Sequence, residues 1–374
     1  ASTWSPEDPV LYRAEVSLVV DGEATDGRSL RFGFRRMRAV GARLELNGRP
    51  VTLAGFNRHE DSPRTGMAVD LATARRDFEE MKRLGANFVR LCHYPHHPGE
   101  LDICDEIGLL VMAELPLNGW ELVDPPTGGF PTDPPHVPAP LEKARRSLRA
   151  MVHRDAHHPA VVLWSVCNEP AEAANPEIVE GIRDLLRLGK TLDASRPWTH
   201  VSNNWAEPRG QDLFEQDDLI CVNAYPSLGE RLGHHGAGAP VGAAFLSGES
   251  AADFSASRRF WERRIPELRA RHPGRPVLVT EMGYPSVQGL QGPLGEDVQR
   301  LATAAELEAL LGMVPEQVAG VTLWCWAKHA WPSGGFRPFC FQTSPYGYVS
   351  RDRARRMAAL EPVAAIFPRL TERR

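Results

Sequence analysis

The chain has 374 residues, of which 42% are hydrophobic and 24% charged, and its formal net charge is −5 at pH 7. This length can hold one large domain with its own core and an appendage. The small net charge argues against a nucleic-acid-binding protein, which would carry a basic patch or stripe. No stretch approaches the roughly 20 apolar residues that cross a bilayer, so no membrane association is expected.

The N-terminal segment contains two strand-like stretches, residues 10–20 and 28–38, joined by the turn-rich sequence at 21–27. Two strands alone are only marginally stable. We interpret residues 1–40 as the tail of a β-sandwich whose other strands lie upstream. Residues 41–374 then form a second domain.

From about Gly41 the pattern changes to alternating strands and helices, with the clearest helices at 72–84 and 177–192. Such alternation favours a parallel sheet, and eight strands are the number that a closed barrel needs. The predicted fold is therefore α/β, a (β/α)8 TIM barrel preceded by a partial β-sandwich. The candidate barrel strands are 51–56, 87–91, 109–113, 161–166, 198–202, 219–223, 277–280 and 320–325.

Two long stretches follow predicted barrel strands and carry no clear strand or helix pattern. They are the Pro/Gly-rich residues 116–140 and the Gly/Ala-rich residues 228–256. Loops of this length in a compact domain are usually functional or disordered. Because they follow the third and sixth strands, we expect them to overhang the active face of the barrel.

Six scattered cysteines show no CxxC spacing, and several lie inside apolar runs. This pattern favours buried free thiols in a reducing compartment over disulfides or a zinc site, and so a cytoplasmic protein. The cysteines are Cys92, Cys104, Cys167, Cys221, Cys325 and Cys340.

Two acids stand at the ends of buried strands, Glu169 after the fourth and Glu281 after the seventh. TIM barrels place their chemistry at the C-terminal ends of strands, and glycosidic cleavage requires a pair of carboxyl groups. The alternative is that each acid is a solvated loop residue or a helix-capping acid. Asn168 favours the functional interpretation, because an amide beside the acid can hydrogen-bond a sugar 2-hydroxyl.

Three segments carry a specific resemblance: LNGRPVTLAGFNRHEDSPRTG, MKRLGANFVRLCHYPHHPGELDICDEIGLLVMAELP and HHPAVVLWSVCNEP. Together they resemble the β-galactosidase and β-glucuronidase family, glycoside hydrolase family 2. WSPEDPVLY and GFRRMR resemble the end of the immunoglobulin-like domain that precedes the barrel in that family. The similarity covers nearly the whole chain.

The resemblance implies catalytic roles for three residues. Glu169 resembles the general acid/base, and Glu281 resembles the nucleophile of a retaining mechanism, which places its two carboxyl groups about 5 Å apart. Arg90 resembles the arginine that holds the nucleophile ionised, as an adjacent cation should. The alternative for Arg90 is a surface salt bridge.

The resemblance also implies substrate-binding residues. His59, Asp61 and His93 resemble residues that bind sugar hydroxyls, although a lone barrel histidine is more often structural. Tyr225 resembles the tyrosine that hydrogen-bonds the nucleophile. Trp324 resembles the tryptophan that forms the sugar platform, whereas an aromatic on a barrel strand is otherwise part of the core.

Two departures from the family narrow the expected chemistry. Metal-dependent β-galactosidases carry a magnesium-binding glutamate and histidine after strand 3, where this chain has Asn118 and Trp120, so we expect no metal and no cofactor. β-Glucuronidases grip the substrate carboxylate with an asparagine and a lysine near the C-terminus. Here QTSPYGYVSRDRARR offers no lysine, although Arg351 or Arg353 could substitute through a bidentate contact.

The sequence therefore predicts a retaining exo-β-glycosidase that acts on a neutral carbohydrate substrate, with β-galactosides first. The alternatives are a β-glucuronidase-like uronide hydrolase and a non-catalytic carbohydrate-binding barrel. The upstream sugar-binding and immunoglobulin-like domains of the family are expected to be missing from this chain, which would leave it with weak or no hydrolysis. The oligomeric state is left open.

Overall fold

The N-terminal segment forms two small antiparallel sheets in this computed structural model, which describes residues 1–119, 138–170, 176–203, 212–228, 253–330 and 343–373. One is a hairpin and the other has three strands in the order in which they follow along the chain. The strands are β1 (Tyr12–Val20) and β2 (Glu23–Phe32), then β3 (Met37–Val40), β4 (Arg43–Leu46) and β5 (Arg49–Val51).

The hairpin corrects the predicted turn at 21–27 and the predicted strand at 28–38. Its turn consists of Asp21 and Gly22 alone, both with positive φ, and β2 already begins at Glu23 and ends at Phe32. An Asp-Gly pair forms the tight two-residue turn that suits a twisted hairpin. The rest of the turn-rich segment pairs with β1, with Ala24 opposite Val19 and Asp26 opposite Leu18.

One face of the hairpin exposes apolar side chains. Val16 and Leu18 are 67% and 59% exposed, and Leu30 on β2 lies on the same face. The segment is tied to the barrel by Trp4, which is fully buried and donates to the Asp105 carbonyl oxygen at 2.9 Å. The predicted domain boundary at 40/41 falls in the turn between β3 and β4, two strands of one sheet. The division into domains stays a prediction.

The predicted TIM barrel is confirmed. The eight strands are β6 (Leu53–Arg58), β7 (Phe88–Leu91), β8 (Leu110–Glu114), β9 (Val161–Asn168), β10 (Trp198–Ser202), β11 (Ile220–Asn223), β12 (Val277–Met282) and β13 (Gly320–Leu323), all within two residues of their predicted bounds. They are parallel and close in the order β10-β11-β12-β13-β6-β7-β8-β9. All their residues are buried, as expected for strands covered on both faces.

Helices follow most of these strands, and the two predicted helices are confirmed to within one residue. None of the described helices combines the length and apolarity needed to cross a membrane. The helices are α1 (Leu71–Arg83), α2 (Pro98–Ile107), α3 (Pro138–Asp155), α4 (Pro176–Leu192), α5 (Ser255–Arg271), α6 (Glu296–Leu311) and α7 (Leu360–Thr371). A short 3-10 helix spans Gly292–Leu294.

Close backbone contacts hold the ring together. A Cβ atom on Gly55 would lie 1.7 Å from the Phe88 carbonyl oxygen, so only glycine fits there between β6 and β7. The two ends of the barrel segment are also in contact. The hydroxyl of Thr52, just before β6, donates to the carbonyl oxygen of Arg373, after α7, at 2.6 Å. Because the eight strands are parallel, their C-terminal ends all open on one rim.

Two predictions concern residues that are only partly described. The long stretches at 116–140 and 228–256 lie mostly outside the described residues, as does Cys340. The other five cysteines are buried and carry free thiols: Cys92, Cys104, Cys167, Cys221 and Cys325.

Candidate active site

Glu169 directly follows β9 at the C-terminal rim and adopts a left-handed backbone conformation, with φ of 44°. Its backbone N–H donates to the Val201 carbonyl oxygen at 2.8 Å, which fixes the turn against β10. The carboxylate accepts from two amides, Asn223 Nδ2 at 2.7 Å and Asn203 Nδ2 at 3.0 Å. Burial raises the pKa of Glu169, and these neutral donors only partly oppose it.

Glu281 lies near the end of β12, close enough to Glu169 for the two charges to interact. One carboxylate oxygen accepts from Arg90 Nη1 at 2.7 Å, and the other accepts from the Tyr225 hydroxyl at 2.6 Å. Burial raises the pKa of Glu281 to about 7; Arg90 opposes this increase and the negative charge of Glu169 adds to it. Both hydrogen bonds stabilise the deprotonated form.

Arg90 is a fully buried guanidinium at the centre of the rim. Its Nη2 and Nε bind the Glu114 carboxylate at 2.7 and 3.0 Å, while Nη1 also donates to Asn57 Oδ1 at 3.0 Å. Burial opposes ionisation of Glu114, yet the Arg90 charge and the His93 hydrogen bond hold its pKa at about 2. Arg90 is therefore no surface salt bridge.

Asn168 lies beside both acids, with its amide largely engaged within the protein. Its Oδ1 accepts from Arg90 Nη2 at 2.7 Å and from Asn223 Nδ2 at 3.1 Å. Its Nδ2 donates one hydrogen bond to Asn118 Oδ1 at 2.8 Å. A sugar hydroxyl would have to share these atoms or use the second Nδ2 proton.

An aromatic cluster lines the rim next to Glu281. Trp324 stacks on His93 with ring centroids 5.2 Å apart, and His59 packs edge-on against Trp324 at 5.4 Å. His329, which follows β13, lies 4.5 Å from His59. Burial lowers the pKa of all three imidazoles, so they are neutral near pH 7.

Asp61 lies beside this cluster, but its carboxylate is already bound by other protein groups. Arg351 binds it through Nε and Nη2 at 2.5 and 2.9 Å, and the Ala330 N–H donates to it at 3.0 Å. Arg353 donates to the Asp61 carbonyl oxygen at 2.5 Å. Asp61 thus ties the segment after β13 to the end of β6.

The structure brings all nine predicted site residues to one rim and adds others that the sequence reasoning missed. Glu114 ends β8 in the same strand-then-carboxylate pattern that marked Glu169, and Asn223 ends β11. His329 carried no such signal, because it follows the last strand in a loop. The remaining additions are Asn57 and Asn203.

The expected absence of the family's magnesium site after strand 3 stays a prediction. Glu114 is fully buried, and its oxygens are occupied by Arg90, His93 and the Ser165 hydroxyl. Asn118 pairs with Asn168. Trp120 lies outside the described residues.

Replacing Glu114 by Gln should lower the free energy of unfolding by about 3 kcal/mol, because it removes one partner of a buried ion pair. Urea unfolding of both proteins measures this difference. Glu106→Gln is the control: its pairs with Arg31 and Arg75 are partly exposed and contribute less than about 1 kcal/mol. Equal losses in the two variants would contradict the central role of the Arg90 pair.

Comparison with known proteins places this rim in a family. Residues 38–285 match the model for the TIM barrel domain of glycosyl hydrolases family 2, and residues 1–35 match a further model of that family. The chain is 38% identical over 195 residues to a β-galactosidase of Enterobacter cloacae, which covers 52% of this chain and 18% of that protein. It is 35% identical over 243 residues to a β-glucuronidase of Mus musculus, which covers 63% and 35%.

The fold is shared with solved structures of similar proteins. A GH2 β-galacturonidase from Eisenbergiella tayi, bound to galacturonate, has a TM-score of 0.82 and 26% sequence identity. The match covers 98% of this chain and 60% of that chain. This chain thus spans 18% to 60% of the length of these three relatives. The chain belongs to glycosyl hydrolases family 2.

Proposed function

We propose that this chain carries the catalytic barrel of a retaining exo-β-glycosidase that hydrolyses terminal neutral β-glycosides, with β-galactosides the leading substrates. The observation that carries this proposal is the pair of buried glutamates, Glu169 and Glu281, held at one barrel rim by different donors. Their unequal surroundings support two distinct roles, which double displacement at a sugar carbon requires.

Glu281 is proposed as the nucleophile. A cation and a phenol, Arg90 and Tyr225, donate to its two oxygens, and both favour the carboxylate form. When the glycosyl–enzyme bond forms, the charge of Glu281 is lost. Arg90 and Glu114 remain an ion pair with no net charge through that step.

Glu169 is proposed as the general acid/base. Only neutral amides bind its carboxyl group, and burial raises its pKa, so its protonated form is favoured relative to that of an exposed glutamate. Glu169 gives that proton to the leaving oxygen as Glu281 attacks the anomeric carbon. As a carboxylate, it then accepts a proton from the water that releases the sugar.

The cations around the rim support a neutral sugar. Arg90 is held by two glutamates, Arg351 by Asp61, and Lys328 donates to a backbone oxygen at 2.6 Å. A uronate carboxylate would have to displace a carboxylate from Arg90 or Arg351, or share Lys328 with its backbone partner. The alternative, a uronide hydrolase, is supported by the similarity to the E. tayi β-galacturonidase and the mouse β-glucuronidase.

The proposal also extends to parts of a longer protein. The exposed apolar face of the hairpin, at Val16 and Leu18, needs cover, which supports an upstream immunoglobulin-like portion and a sugar-binding domain beyond it. Remote contacts from such a domain would help to position the sugar. Equal specificity constants for residues 1–374 and for a version with the natural upstream sequence would reject this extension.

A panel of aryl β-glycosides tests the substrate class through specificity constants. We expect the galactoside to have the highest value and the glucoside and mannoside to follow. The glucuronide and galacturonide should be slowest, because Arg90, Arg351 and Lys328, the rim cations considered among the described residues, already have partners. A uronide in first place would favour the alternative, and sugar binding without turnover of any glycoside would favour a non-catalytic barrel.

Substitution of the two glutamates tests their roles. Glu281→Ala should abolish formation of the glycosyl–enzyme, whereas Glu169→Ala should retain attack on substrates whose leaving groups need no protonation. A fluoro-sugar that traps the covalent intermediate should label Glu281, as peptide mass spectrometry would show. Labelling of Glu169 would reverse the assignment.

The pH profile should report the ionisation of Glu281. With an activated aryl glycoside, whose leaving group needs no proton from Glu169, kcat/KM should be full above pH 7 and fall as the pH drops below it, because the pKa of Glu281 is raised to about 7 and its carboxylate is the reactive form. Glu169→Gln removes a negative charge, so the acid limb should move to lower pH with an activated substrate. The remote Glu106→Gln variant should leave the limb unchanged. An unmoved limb in Glu169→Gln would contradict coupling between the two acids.

A further inference from the structure

Three potential metal ligands meet beside the proposed nucleophile. The side-chain donor atoms of His59, Cys92 and His93 all lie within 4.8 Å of one another. They follow neighbouring strands: Arg58 pairs with Leu91 in the β6–β7 ladder, which brings the next residues of both strands to the same level. The cluster is therefore built on two rigid barrel strands.

Both imidazoles are already oriented by a hydrogen bond at Nδ1. His93 Nδ1 lies 2.7 Å from the Glu114 carboxylate, and His59 Nδ1 lies 3.3 Å from the Tyr94 hydroxyl. The carboxylate at Nδ1 of His93 fixes the tautomer whose lone pair is at Nε2, the arrangement that supports metal-binding histidines in proteins. The Tyr94 hydroxyl orients the ring of His59 and can accept a proton from its Nδ1 when Nε2 binds an ion.

We propose that Nε2 of His59, Nε2 of His93 and Sγ of Cys92 form a zinc-binding site at the barrel rim. Two imidazoles and a thiolate suit Zn²⁺ or Co²⁺ and do not suit Mg²⁺, which prefers oxygen ligands. Bond lengths of about 2.0 to 2.3 Å require these side chains to close in on the ion by small movements.

Binding has a defined proton balance. Cys92 Sγ now donates to the Arg58 carbonyl oxygen at 3.3 Å, so the thiol proton must leave for solvent as the Zn–S bond forms. The two neutral imidazoles contribute lone pairs and release nothing. One proton is thus released for each ion bound.

Glu281 would also coordinate the ion. Its Oε1 lies 3.9 Å from His93 Nε2, within reach of a fourth coordination position. An ion that takes this carboxylate blocks attack on the sugar, so zinc should inhibit competitively. This inhibitory consequence rests on the proposed glycosidase function, whereas the binding of the ion does not.

A cobalt titration of the full chain tests the binding site directly. Co²⁺ should produce a near-ultraviolet thiolate-to-cobalt charge-transfer band that is lost in Cys92→Ser. Cys104→Ser, which replaces another buried thiol outside the cluster, is the matched control and should keep the band. Tyr94→Phe removes the hydroxyl that orients His59 and should weaken cobalt binding about tenfold.

In parallel, inhibition by Zn²⁺ is measured for each variant relative to the rate of that variant without zinc. Zinc should inhibit the unaltered chain, Cys92→Ser should raise the inhibition constant at least tenfold, and Mg²⁺ should not inhibit. The proposal is overturned by the absence of a charge-transfer band, or by a band that persists in Cys92→Ser.

If Cys92→Ser does not fold, as circular dichroism would show, Tyr94→Phe takes its place, and unchanged cobalt affinity in that variant rejects the site. If the chain turns over no glycoside, the proposed function fails. The cobalt band still decides whether the site exists.

Discussion

The buried charge of Arg90 is the constraint on which the rim depends. A guanidinium with no exposure to water must be matched by nearby carboxylates and amide oxygens, or it would strongly destabilise the fold. Glu114, Glu281, Asn57 and Asn168 supply these oxygens. They lie on β8, β12, β6 and β9, so one side chain from β7 fixes the relative positions of five strands.

Arg90 binds the carboxylates of Glu114 and Glu281 unequally. Glu114 receives two guanidinium nitrogens and the hydrogen bond of His93, and its pKa is about 2. Glu281 receives one nitrogen, and its pKa is about 7. Burial raises the pKa of both acids; Arg90 and His93 overcome that effect at Glu114, whereas Arg90 and Tyr225 do not overcome it at Glu281. The inequality gives the rim one permanently ionised glutamate and one whose charge responds to its surroundings.

The barrel and its two candidate acids could be read from the sequence because both are local signals. Buried parallel strands appear as continuous apolar runs, and an acid at the end of such a run stands out. The surroundings of Asp61 could not be read in this way. Its partner Arg351 lies 290 residues further along the chain, and no local pattern links them. The hairpin turn was misplaced because two Asp-Gly pairs compete, and only cross-strand pairing decides between them.

The pairing of β6 with β13 and the contact of Thr52 with Arg373 have a consequence for the order of assembly. Thr52 and Arg373 are 321 positions apart, and Glu281 follows Arg90 by 191. Contacts so distant in sequence form late, above all in a chain that emerges from the ribosome amino end first. Arg90 and Glu114, only 24 residues apart, are therefore both synthesised long before Glu281. This order of synthesis allows Arg90 to pair with Glu114 before the glutamate with the raised pKa is present.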